Sequence, residues 1–312
     1  MGNFDYFAPQ SLGDATSLLR QYGNKSRLLA GGTDLLLRLE RRLVEPCVVI
    51  DLKKIRALRG IKATRKGLRI GAVTLMDEIA SSPLVQGRCG IIAKGAAAVG
   101  SIQTRNRATL GGNLCNASPA ADTAPPLIAL SARARIASSR SEREVPLEGF
   151  FLGPGKTCLQ PNELLKEVFI PSPVRRSGSS FQRCTRTAMD IALVNCAVFL
   201  SLAPKGETIT DIRIVLGAVA PTPVRAQPAE DLLKGKNPGK DAIEEAADRA
   251  VAGVSPIDDV RSSASYRRAM VRILTRRAIE EALREARGNR QQATGSKKQE
   301  NGKDKKTNTS DG

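Results

Sequence analysis

Two Gly–Gly pairs constrain the fold of this 312-residue chain more than any other sequence feature. The first pair lies in a five-residue turn between a predicted strand and a predicted helix, made of Ala30, Gly31, Gly32, Thr33 and Asp34. Consecutive glycines allow a tight turn and expose backbone N–H groups, and a helix N-terminus adds positive partial charge. Such a turn suits a diphosphate, and taken alone it is equally compatible with a plain tight βα turn.

The second pair lies in residues 101–126, a stretch rich in Gly, Asn, Ser, Pro and Thr without helical or strand periodicity. A structureless segment this long in a compact domain is usually functional or disordered, and its small and apolar residues and low net charge disfavour disorder. Its candidate binding residues are Thr104, Asn106, Ala108, Thr109, Gly111, Gly112 and Asn113. Asp122 follows among small residues and prolines, where its carboxylate can accept hydrogen bonds from a ribose or act as a structural cap.

Several common sites are excluded by residue content and spacing. The chain contains no His, which excludes His-dependent nucleophilic sites, His-ligated metals and flavin attached through His. The six cysteines are scattered singly without a C-x-x-C pair, so the pattern favours reduced thiols in a cytoplasmic protein. The first glycine pair has neither the Rossmann nor the P-loop pattern. We predict no catalytic residue and no metal ligand in this chain.

The chain is basic, with a net charge of +18. Residues 288–312 carry six Lys or Arg and three Asp or Glu, so most of the excess lies in the body of the protein. No nucleic-acid-binding motif accompanies this charge, which favours a solvated surface and no nucleic-acid partner. The longest apolar run, residues 191–204, is too short to span a membrane and reads as a buried strand.

Strand–helix–strand alternation in the first 51 residues favours an α/β layer. Residues 171–180, with Pro, Arg, Gly and Ser, predict a linker to a second domain. That domain has strands near residues 191–203 and 209–219 and a long helix over about 265–286. Residues 288–312 predict a disordered basic tail.

The two Gly–Gly segments, AGGTDLL at 30–36 and RNRATLGGNLCNASPAADTAPP at 105–126, resemble the signature of FAD-binding subunits in the xanthine dehydrogenase and carbon monoxide dehydrogenase family. Further similar segments are FDYFAP at 4–9, VIDL at 49–52, FQRCTRTAMDIA at 181–192, LGAVAPTPVR at 216–225 and DDVRSSASYR at 258–267. The resemblance covers residues 1–287.

This resemblance implies an α+β fold: a PCMH-type FAD-binding domain of two α/β subdomains (1–175), a smaller C-terminal flavoprotein domain (176–287) and the tail (288–312). It implies noncovalent FAD, with the diphosphate on residues 30–34 and 109–113. Asp122 matches an acid on the ribose or adenine side, and Leu165 an apolar residue near the cofactor. Relatives often carry Lys at the position of Gln182 or the next one, where Arg183 stands here. Asp190 and Ile191 match a loop that approaches the flavin.

The resemblance also implies the partners: a large molybdenum-cofactor subunit and a small subunit with 2Fe–2S clusters, together a heterotrimer. The chain would pass electrons from these clusters to an external acceptor such as NAD. The alternatives are a stand-alone FAD-dependent oxidase of a related fold and, from charge alone, a basic nucleic-acid-binding or scaffold protein.

Overall fold

The N-terminal residues form a three-stranded parallel sheet in the computed structural model, which describes residues 3–303 and the side chains of residues 3–288. Its elements are β1 (Asp5–Phe7), α1 (Leu12–Tyr22), β2 (Ser26–Leu29), α2 (Leu35–Glu40) and β3 (Val48–Asp51). The strand order is β1-β3-β2, so the predicted α/β layer is confirmed here. The Ser11 hydroxyl caps α1 by accepting the Asp14 N–H at 3.1 Å.

The next unit is a five-stranded sheet with helices and a separate two-stranded sheet formed by its eighth and ninth strands in chain order. It contains β4 (Ile61–Ala63), β5 (Gly67–Gly71), α3 (Met76–Ser81), α4 (Pro83–Ala97), α5 (Ile102–Arg105), α6 (Leu110–Asn116), α7 (Ala124–Ala129), β6 (Arg133–Ala137), β7 (Glu142–Pro146), β8 (Phe151–Gly153), β9 (Lys156–Thr157) and β10 (Leu164–Pro171). Its order is β4-β5-β10-β6-β7, and every pair is antiparallel. The second subdomain therefore combines helices with an antiparallel sheet, in which β10 returns from far along the chain and inserts between β5 and β6.

The lack of periodicity in segment 101–126 predicts a structureless loop, and this prediction is wrong. The segment contains α5, α6 and the start of α7. The hydroxyls of Ser101 and Thr109 accept backbone N–H groups at the starts of α5 and α6. Pro125 and Pro126 lie in the first turn of α7, where the missing proline N–H is tolerated. Helices of four to seven residues are too short to show a periodic apolar pattern.

The C-terminal unit is a four-stranded antiparallel sheet backed by helices. It comprises β11 (Ser177–Cys184), β12 (Val194–Leu202), β13 (Ile209–Gly217), β14 (Val224–Arg225), α8 (Gln227–Leu233), α9 (Lys240–Ala252) and α10 (Ala264–Lys303). The linker predicted at 171–180 is shorter, because β10 runs to Pro171 and β11 begins at Ser177.

Helix α10 also differs from its prediction, because its backbone continues to Lys303 where a disordered tail was expected from residue 288. Extending an existing helix costs little once it is nucleated. Residues 304–312 lie outside the described residues, and disorder there stays a prediction. No helix within residues 3–303 is long and apolar enough to cross a membrane.

Polar contacts join the two larger units. The Glu281 carboxylate on α10 is 3.1 Å from the Lys94 ammonium group on α4 and accepts the Ser180 hydroxyl at 2.7 Å. It also accepts the Gln182 amide at 2.5 Å, so Gln182 is directed toward α10. Because successive side chains of a strand alternate between its faces, the neighbouring Arg183 is directed the other way. This register decides which side chain of β11 enters the candidate site.

Candidate cofactor-binding site

A cleft of about 430 Å³ opens where the two Gly–Gly loops meet the end of β11. Residues from all three units line it, including the loop at 189–191 that follows β11. Twelve of the fifteen predicted cofactor-binding residues lie on its wall: Ala30, Gly31, Gly32, Thr33, Asp34, Thr104, Ala108, Thr109, Gly112, Asn113, Asp122 and Arg183. The tertiary structure therefore brings together residues that are separated by up to 153 positions in sequence.

The first loop offers unpaired backbone donors. Within the described part of the chain, the N–H groups of residues 31–34 have no hydrogen-bond acceptor. Gly32 has a φ of +79°, a conformation that favours glycine. Helix α2, which follows, has only six residues. Four unpaired donors in succession form the kind of backbone concavity that binds a phosphate group.

The glycine at position 31 serves contact between the loops. A Cβ there would overlap the Arg107 carbonyl oxygen and lie 2.8 Å from its carbonyl carbon. It would also lie 2.9 Å from the Cα of Ala108. The two loops are therefore in backbone contact at Gly31, which sets their separation along the cleft.

Most backbone N–H groups of the second loop already have acceptors within the protein. The N–H of Leu110 donates to the Thr74 carbonyl at 3.0 Å, and that of Asn113 donates to the Thr109 carbonyl at 3.0 Å. The N–H of Gly112 donates to the Thr109 hydroxyl at 3.1 Å. Because these donors are satisfied within the chain, this loop shapes the wall, and the first loop holds the unpaired donors.

A buried ionic cluster lies at the other end of the cleft. Asp122 is 6% exposed, and its Oδ1 accepts the Arg183 Nε–H at 3.1 Å and the Asn195 amide at 3.0 Å. Burial raises the pKa of Asp122 to about 6, and the two donors only partly offset that effect. Arg183 also donates to the Asp190 carbonyl oxygen. It therefore ties the first domain to the loop beside β11.

Three predicted residues lie outside the cleft wall. Asn106 is an exposed C-cap of α5, and Leu165 is buried in the core of the five-stranded sheet. Gly111 packs on the preceding strand, because a Cβ there would lie 2.7 Å from the Cβ of Ala72. The N–H of Gly111 donates to the Ala72 carbonyl at 2.7 Å. Of the second pair, only Gly112 faces the cleft.

Sequence reasoning missed a polar chain on the cleft wall. The Arg38 guanidinium donates to Asn116 Oδ1 at 2.9 Å, and Asn116 Nδ2 donates to Asp34 Oδ1 at 3.0 Å. All three residues line the cleft. Helical spacing contains the signal, because Arg38 lies four residues after Asp34 and Asn116 lies three after Asn113. This polar chain links α2, which follows the first glycine pair, to α6, which contains the second.

Two known protein families match the two parts of this chain. Residues 2–173 match the family described as "FAD binding domain in molybdopterin dehydrogenase". Residues 179–282 match the "CO dehydrogenase flavoprotein C-terminal domain". The chain belongs to the family of FAD subunits of molybdenum hydroxylases.

Similar proteins align along nearly the full length of this flavoprotein subunit. The carbon monoxide dehydrogenase medium chain of Hydrogenophaga pseudoflava is 37% identical over 279 residues, covering 89% of this chain and 96% of the relative. The xanthine dehydrogenase FAD-binding subunit of Escherichia coli O157:H7 is 33% identical over 289 residues, covering 92% and 98%. The function is therefore that of an oxidoreductase FAD subunit, and the stand-alone oxidase is not favoured.

Solved structures agree in fold. A carbon monoxide dehydrogenase chain from Hydrogenophaga pseudoflava superposes with a TM-score of 0.86 at 38% identity, covering 90% of this chain and 97% of that one. Quinoline 2-oxidoreductase from Pseudomonas putida 86 gives 0.85 at 33%, covering 91% and 98%. The α+β two-domain fold of the flavoprotein subunit is thus confirmed.

The residues of the cleft fit FAD. The unpaired amides of residues 31–34 suit its diphosphate, and the Asp122 carboxylate suits a hydroxyl donor such as a ribose. The molybdenum cofactor of the family resides on other subunits. Within residues 3–288, the side chains form no group of three His, Cys, Asp or Glu that could hold a metal ion.

Proposed function

We propose that this subunit passes electrons from the iron–sulfur centres of a small partner subunit to an external acceptor, within a heterotrimer that includes a large molybdenum subunit. FAD supplies the redox chemistry when bound. The relatives' names, "medium chain" and "FAD-binding subunit", support assembly with larger and smaller partners. NAD, oxygen, a quinone and ferredoxin are the candidate acceptors. The hydroxylation substrate is set by the large subunit.

The composite cleft carries this proposal. Its wall needs the unpaired amides of residues 31–34 from the N-terminal unit and Arg183 from the C-terminal unit. The loop at 189–191 closes one side with Met189 and Ile191, which are 67% and 53% exposed. Exposed apolar side chains beside a cofactor cleft are suited to contact another protein, and the iron–sulfur partner has to approach this cleft.

The same proposal places FAD noncovalently on the twelve cleft residues and keeps 1–175 and 176–287 as its domains. The six cysteines are free, which supports the cytoplasmic location that the sequence predicts. The basic body is available for an acidic partner or electron carrier.

The experiment is reconstitution with the two partners. The purified chain should show a flavin absorption spectrum and should be reduced by dithionite, and no hydroxylation substrate of the complex should reduce it. Adding both partner subunits should make the flavin reducible by that substrate. Oxidation of an organic substrate by the isolated chain at an ordinary enzymatic turnover would replace this proposal with the oxidase function. Absence of bound flavin would contradict both.

A further inference from the structure

Three arginines line the cleft, and their partners differ. Arg183 is paired with the Asp122 carboxylate and bonded to the Asp190 carbonyl oxygen. Arg27 donates to the carbonyl oxygens of Asn24 at 3.0 Å and Ser26 at 2.8 Å. Arg183 is therefore committed to an ion pair, and Arg27 is committed to carbonyl oxygens of its own segment, so both are less available to a ligand.

Arg38, like Arg27, has no counter-charge within the described residues, but its side chain does not donate to a backbone carbonyl there. Within the described residues, no carboxylate lies within 4.0 Å of its guanidinium group, and its one side-chain hydrogen bond goes to the neutral amide of Asn116. A guanidinium group has five N–H donors, so most of its donors remain available. It lines the same cleft as the unpaired amides of residues 31–34, and α2 places it four residues after Asp34.

The polar chain holds this cation in place. Asp34 accepts the Asn116 Nδ2–H at 3.0 Å, which orients the amide so that its oxygen is presented to Arg38. Asn116 is the last residue of α6, so this polar chain of side chains fixes Arg38 relative to the second glycine loop as well as the first. An oriented guanidinium loses less side-chain entropy when it binds an anion.

We propose that Arg38 is the cationic partner of the FAD diphosphate and that Asn116 is its positioning residue. This inference rests on the proposed FAD site. FAD carries its only formal charges on the diphosphate, and the unpaired amides in the same cleft contribute partial charges only. A charge-assisted hydrogen bond from Arg38 would stabilise the bound diphosphate more than neutral donors do.

The test compares Arg38→Met with Arg41→Met in the full-length apoprotein. Arg41 lies at the C-cap of the same helix, is exposed and does not line the cleft. FAD binding is followed by flavin fluorescence, and ADP binding by displacement of FAD. Arg38→Met should weaken both FAD and ADP by about 10- to 100-fold, as expected for a lost charged hydrogen bond. It should also make FAD affinity less dependent on salt concentration. Arg41→Met should keep wild-type affinity.

Wild-type affinity of Arg38→Met for FAD would overturn the inference while leaving the FAD site intact. So would an equal loss in Arg41→Met, which would indicate a general charge effect, or a loss for FAD without a loss for ADP. Failure of the wild-type chain to bind FAD would instead contradict the proposed function. The melting temperatures of the apoproteins show whether Arg38→Met folds. If it does not, Asn116→Asp gives a second test: a carboxylate at this position would pair with Arg38 and should weaken FAD and ADP together.

Discussion

Replacing Gly31 with Ala tests whether the two glycine loops are in contact. The added Cβ would overlap the Arg107 carbonyl oxygen and lie 2.8 Å from its carbon, so backbone has to move on one side of the cleft. Overpacking of this kind costs roughly 1–3 kcal/mol of unfolding free energy. At about 2–4 °C per kcal/mol for a protein of this size class, Tm of the apoprotein should fall by several degrees.

The same change should weaken FAD binding. Displacing residues 31–34 by even part of an ångström misaligns the unpaired amides, and the loss of a single charged hydrogen bond corresponds to about tenfold or more in affinity. The assays are thermal unfolding of the apoprotein and fluorescence titration with FAD. Gly87→Ala is the matched control, because Gly87 lies in α4 with no atom within 4 Å of the added Cβ. It should keep or raise Tm, since Ala favours helix. Unchanged Tm and unchanged FAD affinity in Gly31→Ala would refute the loop contact.

Three other outcomes follow from the site and the helix end. Gly111→Val should lower the apoprotein Tm through its clash with Ala72. Gly112→Val should instead reduce FAD affinity with a smaller change in Tm, because Gly112 lines the cleft. The reverse pattern would contradict the assignment of Gly112 to the cleft. Because the folded-state pKa of Asp122 is raised to about 6 from 3.8, the native state holds this proton more tightly, so its contribution to stability is greatest below pH 4 and falls by up to about 3 kcal/mol as pH rises through 6. Urea unfolding at several pH values should show that the free energy of unfolding declines in the wild type relative to Asp122→Asn. Parallel pH profiles of the two proteins would contradict the raised pKa of Asp122. Deleting residues 288–312 should leave Tm and FAD content unchanged, because this segment has almost no apolar residues to bury; a fall of several degrees in Tm would show that the deleted segment packs on the body.

A chemical prediction concerns how FAD is held. The chain has no His for covalent attachment, so acid precipitation of the holoprotein should release all the flavin. The supernatant is measured by absorbance, and the pellet is inspected for retained yellow colour. Flavin that stays in the pellet would require attachment through another side chain.

The local features of this fold were readable from sequence. Ser11 and Gly23 delimit α1 through a hydroxyl cap and a positive φ, which depend only on neighbouring residues. The glycines of residues 30–34 favour the turn that these residues form. Twelve of the fifteen predicted site residues line the cleft. Backbone conformation at a glycine turn and hydroxyl capping are short-range effects, so the residues that make them can be named from sequence alone.

Tertiary structure decided what depends on distant partners. Strand β10 inserts between β5 and β6 and pairs with both, and no local pattern specifies which strands will be its neighbours. The register of β11 sends Gln182 to Glu281 and leaves Arg183 for the cleft. A shift of one residue would exchange these two side chains, because a strand alternates its faces. The hydrogen bond between the Arg38 and Asn116 side chains joins residues 78 positions apart, and only the packing of α2 against α6 brings them within hydrogen-bond distance.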